Sequence, residues 1–327
     1  MSAPPAAQLV DILEAGGPEL SRQLHRTETR LGEVAESHGV ELARHAAGTL
    51  AAGGKRLRPV LVFLCGGTAA ALRAAAVAVE LLHMATLVHD DVLDQARLRR
   101  GRPTVFAAAG RGAATATGDL LFSRAFAELA STRSEEAVGA LSAASSALAR
   151  GELYQRADAW SDSVTTERYL ERCELKTASL FSAACRLGAL LGDVGPDSVA
   201  ALAGFGSRIG LAFQILDDVL DVSGPSERTG KHRGTDLLDG TVTLPLIIAR
   251  GRDPELAAMD LRELISEPAQ AEAVCDRIAI TGALGAAREQ ALHQVASAKA
   301  ALGGVRLAEH RRRALDLLAD AMVERYT

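Results

Sequence analysis

The stretch DDVLD stands at residues 90–94, and the same five residues return at 217–221. Each copy closes a long apolar segment, 73–96 in the first case and 198–222 in the second. A helix that is apolar on every side belongs in the centre of a helical bundle. Three aspartates within five residues repel one another, and the C-terminal end of a helix already carries partial negative charge. The two copies therefore predict two central helices whose acidic ends share a bound cation.

The composition predicts an all-α protein. Hydrophobic residues make up 48% of the 327 residues, and aromatic residues only 3%. The stretch from Thr104 to Gly195 lacks proline and is rich in Ala, Leu, Glu and Arg, which lose little side-chain freedom in a helix. No segment rich in Pro, Gly and Ser divides the chain. We expect one large helical bundle around a central cavity over residues 21–327, after a weakly ordered leader at residues 1–20.

The apolar periodicity also places the individual elements. A helix is expected to start near Pro59, and RRGRPT at 99–104 is expected to be a loop. Further helices are predicted at 113–131, 134–158, 165–192 and 197–222, and then at 243–251, 255–265, 269–280, 283–302 and 305–325.

The charge and the cysteines narrow the class of protein. A net charge of −5 disfavours nucleic acid as a partner. The four cysteines share no metal-binding spacing, and the first twenty residues show no secretory signal. The apolar run at 74–88 is interrupted by Glu80 and His83 and is too short to span a membrane. These features predict a cytoplasmic protein without an integral membrane segment, and they leave peripheral contact with a membrane surface open.

The spacing within each DDVLD copy is suited to a magnesium ion. Residues four apart lie on the same face of a helix, so Asp90 projects with Asp94, and Asp217 with Asp221. The middle aspartates are rotated by about 100° and need not point at the same ligand. Mg²⁺ prefers one or two carboxylates together with waters and phosphate oxygens. The alternative is that each copy is a solvated helix end, which two copies on two apolar helices make less favourable.

Basic residues lie where a metal-bound diphosphate would need them. The loop GGKRLR at 53–58 combines glycines with Lys55, Arg56 and Arg58, and Arg99, Arg100 and Arg102 follow the first acidic cluster. Backbone amides and guanidinium groups are good ligands for phosphate oxygens. Together with the acidic helix ends, these clusters predict a diphosphate-binding site.

The chain resembles the trans-type (head-to-tail) isoprenyl diphosphate synthases of the polyprenyl synthetase family from about residue 40 to its end. Seven stretches carry the resemblance: GGKRLRP (53–59), LLHMATLVHDDVLDQARLRRGRPT (81–104), GDLLFSRAF (118–126), GELYQ (151–155), ELKTASLFSAA (174–184), GLAFQILDDVLD (210–221) and GKHRGTDLLDGTVTLP (230–245). The resemblance implies a Mg²⁺-dependent prenyltransferase that joins isopentenyl diphosphate to an allylic prenyl diphosphate. It also implies a homodimer, with three Mg²⁺ ions per active site when substrate is bound.

The resemblance also implies roles for individual residues. The metal ligands would be Asp90, Asp94 and Asp217, supported by Asp221 and Asp218. The diphosphate of isopentenyl diphosphate would be bound by Lys55, Arg58, His83 and Arg100. The allylic diphosphate would be bound by Arg99, Lys176, Gln214 and Lys231, with Thr177 near the developing cation. Thr241 stands where many members have a lysine, which removes one expected diphosphate contact, and Gln95 replaces a commonly acidic residue.

Residues before the first acidic cluster predict the length of the product. Ala85 is the fifth residue before Asp90 and Thr86 the fourth, so no aromatic side chain stands where short-chain members have one. Leu81 and Leu82, one turn earlier, would set a deeper limit. We expect a product longer than C15, with C30 or above favoured and geranylgeranyl diphosphate as the alternative.

Other interpretations are compatible with parts of the pattern. His83 is read alternatively as a core histidine, Gln214 as a locally satisfied buried amide, and Lys176 with Thr177 as a surface pair. A class I terpene cyclase would have a different second metal motif in place of the second DDVLD. A non-catalytic scaffold subunit of a heteromeric synthase would generally lack both acidic clusters, and both are intact here.

Overall fold

The structure is a computed structural model that describes residues 6–37, 43–45, 48–49, 56–99, 101–224 and 233–324. The first half contains helices α1 (Ala6–Gly16), α2 (Pro18–Glu36), α3 (Leu57–Gly66), α4 (Ala71–Leu93), α5 (Val105–Ala130), α6 (Glu135–Ala157) and α7 (Thr166–Cys173). A five-residue π-helical segment, Glu174–Ala178, follows α7 and is called the π-turn below. The second half contains α8 (Ser179–Leu191), α9 (Asp197–Ser223), α10 (Thr235–Leu238), α11 (Leu244–Arg252), α12 (Pro254–Ala258), α13 (Leu261–Leu264), α14 (Pro268–Ile280), α15 (Ala283–Ala301) and α16 (Glu309–Glu324).

The two acidic motifs end the two central helices, α4 and α9. Both helices pack against α8, while α5 covers another side of α4 and α15 another side of α9. By length and mean hydropathy either helix could span a membrane, but 67% of the apolar window of α4 and 56% of that of α9 are buried in the protein. Helix α4 covers nearly all of the segment predicted at 73–96, because Glu80 and His83 interrupt the apolar run but not the helix. The expectation that this run is too short to span a membrane does not hold for the whole helix by length and hydropathy alone. Its burial is that of a core helix of a bundle.

The start of the chain differs from the sequence prediction. Residues 6–20 were expected to be weakly ordered, yet α1 and the start of α2 lie there. Helix α1 packs against α16 and buries Ile12, and α2 buries Leu20. Burial of these apolar side chains stabilises the helices in spite of the flanking prolines.

Local capping explains most differences in helix ends. Helix α5 begins at Val105, where the Thr104 hydroxyl accepts a hydrogen bond from the Ala107 amide, and a kink at Gly110 (φ 82°, ψ 174°) separates this first stretch from the helix predicted at 113–131. The segment predicted as one helix at 255–265 is two short helices, since Asp260 caps a second start. The expected RRGRPT loop contains a small antiparallel hairpin, β1 (Leu98–Arg99) with β2 (Arg102–Pro103), whose turn has Gly101 at φ 76°.

Candidate active site

The first acidic end carries a half-buried carboxyl group, that of Asp90. Burial, together with the charges of Glu152 and Asp94, raises the pKa of Asp90 to about 6. Burial also raises the pKa of Asp94, although about half of that side chain is exposed. Asp91 is turned away and accepts hydrogen bonds from Arg99 at 2.8 and 2.9 Å. The charge of Asp94 therefore raises the pKa of Asp90, as expected for two residues on the same face of a helix. Asp91 instead binds Arg99 and so holds the β1–β2 hairpin against α4.

The π-turn brings a lysine to this acidic end. Lys176 is hydrogen-bonded to Glu152 and, at 3.0 Å, to Gln155, both on α6. Its positive charge is the largest influence that lowers the pKa of Asp90 and of Asp94, opposing their burial. Lys176 therefore lies at the centre of the acidic group, where a diphosphate leaving group could be neutralised.

Glycine at position 151 lets α6 approach the π-turn. A Cβ atom there would lie 2.6 Å from the Lys176 backbone nitrogen and 2.8 Å from its Cα. Backbone atoms cannot yield as a flexible side chain can. The contact between α6 and the π-turn therefore depends on Gly151.

The second acidic end is organised around a buried carboxyl group, that of Asp218. It accepts hydrogen bonds of 2.7 Å from the Tyr169 hydroxyl and from the Gln214 amide nitrogen. Burial raises the pKa of Asp218 to about 8, and the charge of Asp236 acts in the same direction. Asp217 and Asp221 are half-buried, and the Asp221 carboxylate accepts from the Asp236 backbone amide at 3.1 Å. Asp218 thus faces the protein, as its rotation relative to Asp217 on the helix predicts.

The π-turn also reaches this second end. The Thr177 hydroxyl lies 2.7 Å from the Gln214 side-chain oxygen, and Gln214 in turn is bonded to Asp218. Lys176 and Thr177 are adjacent, yet the first contacts α6 and the first acidic end while the second contacts α9. One π-helical segment therefore links the two DDVLD ends, and such segments occur often at functional sites.

The structure describes only two of the residues predicted to bind isopentenyl diphosphate, Arg58 and His83. The Arg58 guanidinium lies 4.5 Å from the centre of the Phe181 ring, and burial lowers the pKa of Arg58 to about 10. Its Nε atom is buried and has no hydrogen-bond partner among the described residues. His83 is half-buried on α4. Lys55, Arg100 and Lys231 lie outside the residues that the structure describes, so their predicted roles stay predictions.

The predicted chain-length residues lie along α4. Ala85, Leu81 and Leu82 are fully buried, and the Thr86 hydroxyl is bonded to the His83 carbonyl at 2.8 Å. Helix α4 contains no Phe, Tyr or Trp, so none of these side chains stands on it near Asp90.

The donor chemistry of the first acidic end fits a magnesium ion. Asp90, Asp94 and Glu152 supply carboxylate oxygens, which Mg²⁺ prefers. Across the described part of the chain, no three His, Cys, Asp or Glu side chains are grouped closely enough to hold a metal ion alone. Mg²⁺ takes one or two protein carboxylates and completes its shell with waters and phosphate oxygens.

Comparison with known proteins decides the family. The family model named polyprenyl synthetase matches residues 40–280. The chain belongs to the polyprenyl synthetase family. It is 39% identical over 269 residues to heptaprenyl diphosphate synthase component 2 of Geobacillus stearothermophilus, covering 81% of this chain and 84% of that protein. It is 35% identical over 283 residues to geranylgeranyl diphosphate synthase of Methanosarcina mazei, covering 84% of this chain and 86% of that protein.

The fold agrees with the same family. A polyprenyl synthase from Caulobacter crescentus, solved with calcium and isoprenyl diphosphate, superposes with a TM-score of 0.87 at 34% identity, covering 100% of this chain and 99% of that one. The expectation of an all-α isoprenoid synthase fold is confirmed. The chain is a prenyltransferase of the prenyl diphosphate synthase class.

Several residues at the site of this polyprenyl synthetase were not singled out from the sequence. Glu152 and Gln155 lie in the GELYQ stretch that matched the family, but no role was assigned to them. Tyr169 and Arg172 carried no signal, because their partners are far along the chain. Arg172 donates to the Val242 carbonyl at 2.6 Å, next to the position where Thr241 replaces a common lysine. Its charge also lowers the pKa of Asp218.

Proposed function

We propose that this prenyltransferase condenses isopentenyl diphosphate head-to-tail onto an allylic diphosphate, with Mg²⁺ bound between the two DDVLD ends. The observation that carries the proposal is the π-turn, whose Lys176 and Thr177 contact the surroundings of both ends. A site with carboxylates on two helices and a cation between them is suited to a diphosphate that leaves as an anion.

The allylic half of the reaction is assigned to the first acidic end and the π-turn. When bound, Mg²⁺ would neutralise the departing diphosphate and so favour ionisation of the allylic C–O bond. Asp90, Asp94 and Asp217 would hold it. Lys176 and Arg99 would bind the diphosphate oxygens, and the oxygen of Thr177 would face the carbon that becomes positive.

The second substrate is assigned to the basic side of α3 and α4. Arg58 and His83, with Lys55 and Arg100, would fix isopentenyl diphosphate so that its alkene attacks the allylic cation. A carbon–carbon bond forms, and one proton then passes to an oxygen of the released diphosphate. Every group required is a binding or orienting group, so the step needs no protein nucleophile.

The product is proposed to be longer than C15, with C30 or above favoured. Support comes from the small side chain of Ala85, which lies about 7–8 Å along α4 from Asp90 by the helical rise. Geranylgeranyl diphosphate is a second candidate, because a relative with 35% identity carries that name.

The assembly is proposed to be a homodimer that acts without a second component. The name of the Geobacillus stearothermophilus relative, component 2, raises a heteromeric assembly as the alternative. The presence of both acidic ends supports a catalytic chain in either assembly.

The experiment is an incubation of the purified chain with isopentenyl diphosphate, Mg²⁺ and each allylic primer from C5 to C20. We expect elongated products after dephosphorylation, which vanish with EDTA and return with excess Mg²⁺. Asp90→Asn and Asp217→Asn should lower the rate by about a hundredfold or more, whereas Asp320→Asn on α16 should not change it. No elongation with any primer would contradict the proposal, unless a second component restores it, which would support the heteromeric alternative.

Chain length has its own test. Ala85→Phe should shorten the longest product by at least one isoprene unit, because a benzyl group would block the space beside α4 at that depth. The matched control is Ala296→Phe, at an exposed position of α15. Products are sized by reversed-phase chromatography. An unchanged product from folded Ala85→Phe protein would remove Ala85 as the length-limiting position.

A further inference from the structure

The direction of the Thr177 hydroxyl is set by a chain of three hydrogen bonds, which is half-buried at Thr177 and Gln214 and fully buried at Tyr169. Thr177 donates to Gln214 Oε1, Gln214 Nε2 donates to Asp218 Oδ1, and the Tyr169 hydroxyl donates to Asp218 Oδ2, each at 2.7 Å. The chain joins the π-turn, α9 and α7. We call these four residues the Thr177 relay.

The chemistry of each group fixes the sense of the relay. The Gln214 Nε2 atom, which can only donate, lies 2.7 Å from Asp218 Oδ1. The amide oxygen of Gln214 then faces Thr177 and can only accept. The Thr177 hydroxyl must therefore donate to Gln214, and its lone pairs are the part left to face the site.

Tyr169 is the fixed end of the relay. Its side chain is fully buried, and its ring lies 5.4 Å from the Arg172 guanidinium. Its hydroxyl lies 2.7 Å from Asp218 Oδ2, to which it donates a buried hydrogen bond. Without the Tyr169 hydroxyl, Asp218 Oδ2 would lose this hydrogen bond. The carboxyl group could then rotate about χ2, and the Gln214 amide bonded to it would move as well.

We propose that Tyr169 is a positioning residue for the condensation, because through Asp218 and Gln214 it holds the lone pairs of Thr177 toward the developing allylic cation. The inference rests on the proposed placement of Thr177 beside that cation. A lone pair held in place stabilises positive charge that exists only in the transition state. Its loss should therefore slow the chemical step and leave substrate binding unchanged.

The test is a double-mutant cycle on the single-turnover rate of the first condensation. Tyr169→Phe removes one buried oxygen atom and should lower this rate roughly tenfold, with half-saturation by primer and by isopentenyl diphosphate unchanged within about twofold. Thr177→Val should lower the rate at least as much. In the Thr177→Val background, Tyr169→Phe should lower the rate by less than about twofold, because the hydroxyl that Tyr169 orients is absent.

A merely structural role predicts a different result, namely that the two effects multiply. Thr177→Ser keeps a hydroxyl at this position, so in the Thr177→Ser background Tyr169→Phe should again lower the rate roughly tenfold. The matched control is Tyr154→Phe, which removes the same atom from a ring that packs under Arg168, and it should change the rate by less than about twofold.

The outcomes separate this inference from the proposed function. An inactive wild-type chain would contradict the proposed function. An active wild type with a Tyr169→Phe rate within twofold, or with multiplicative effects, would overturn the relay alone. If Tyr169→Phe does not fold, Gln214→Met removes the link from the other side, and its coupling to Thr177→Val must be equally strong for the inference to stand.

Discussion

Lys176 is a positive charge that the carboxylates of the first acidic end share, together with Arg156, which lies 3.5 Å from Asp94 and 2.9 Å from Glu152. Lys176 lowers the pKa of both Asp90 and Asp94, while its ammonium group is held by Glu152 and Gln155. Without the lysine, the three carboxylates would repel one another and any incoming diphosphate. The residue therefore prepares this end of the site for an anion.

We expect Lys176→Met to raise the KM for the allylic primer by about tenfold to a hundredfold, the range for one hydrogen bond between charged groups. The KM for isopentenyl diphosphate should stay within about twofold, since Lys176 is assigned to the allylic diphosphate and not to isopentenyl diphosphate. The control is Lys299→Met, which removes a lysine paired with Asp320 at the other end of the chain. An equal rise in both KM values would show that Lys176 does not distinguish the two substrates.

At the scale of residues, the sequence predicted which side chains carry the chemistry better than it predicted which side chains contact each other. The acidic pairs could be found because both members of a pair lie four residues apart on one helix. Tyr169 could not be found, because it is 49 residues from Asp218 and only the packing of α7 against α9 brings them together. Likewise, Glu152 meets Lys176 only through the contact of α6 with the π-turn.

The π-turn is the element that positions the site. The periodicity predicted one continuous helix at 165–192, but five residues of π-helix separate α7 from α8. The apolar pattern did not reveal this segment, because Glu174–Ala178 spans only about one turn and contains no Gly or Pro that would interrupt a predicted helix. The wider turn sets the directions of Lys176 and Thr177, whose side chains bond to different helices.

A substitution at Gly151 tests whether the position of the π-turn against α6 matters for the site. Gly151→Ala places a Cβ within 2.6 Å of the Lys176 backbone nitrogen, so α6 and the π-turn must separate. We expect a loss of stability of about 1–3 kcal/mol and a fall in kcat of roughly tenfold or more, measured by thermal unfolding and steady-state kinetics.

The matched control for Gly151 lies on the same helix. Gly139 has open space where a Cβ would lie, so Gly139→Ala should stabilise the protein by about 0.5–1 kcal/mol and leave kcat unchanged. Full activity of Gly151→Ala would mean that the close approach of α6 is not needed for the site.

At the scale of the whole molecule, the sequence predicted the fold class and the two central helices because apolar length is a strong signal. It missed features that depend on termini and turns, such as the helix α1, which is stabilised by packing against α16 at the other end of the chain. This contact is not visible in the order of residues. The C-terminal helices are joined by polar contacts that the apolar pattern also does not reveal.

One of these contacts makes the stability of the whole fold depend on pH. Asp253 caps α12 through the Glu255 and Leu256 amides and pairs with Arg277 of α14. These hydrogen bonds, led by the one from Arg277, lower the pKa of Asp253 from 3.8 to about 2. A carboxyl whose pKa is lower in the folded state stabilises that state above pH 4, and this contribution is lost as the pH falls from about 4 to about 2.

We therefore expect Asp253→Asn to lower the midpoint of thermal unfolding at pH 7, because asparagine keeps the cap but removes the charge that pairs with Arg277. The difference between wild type and variant should shrink as the pH is lowered from 5 toward 3, where the wild-type carboxylate begins to take up its proton. Glu289→Gln, at an exposed position of α15, is the control and should show a small difference that does not change with pH. A difference for Asp253→Asn that stays constant down to pH 3 would contradict this prediction, because the ion pair with Arg277 is lost when Asp253 is protonated. The contribution of Asp253 would then come from its hydrogen bonds to the Glu255 and Leu256 amides at the start of α12.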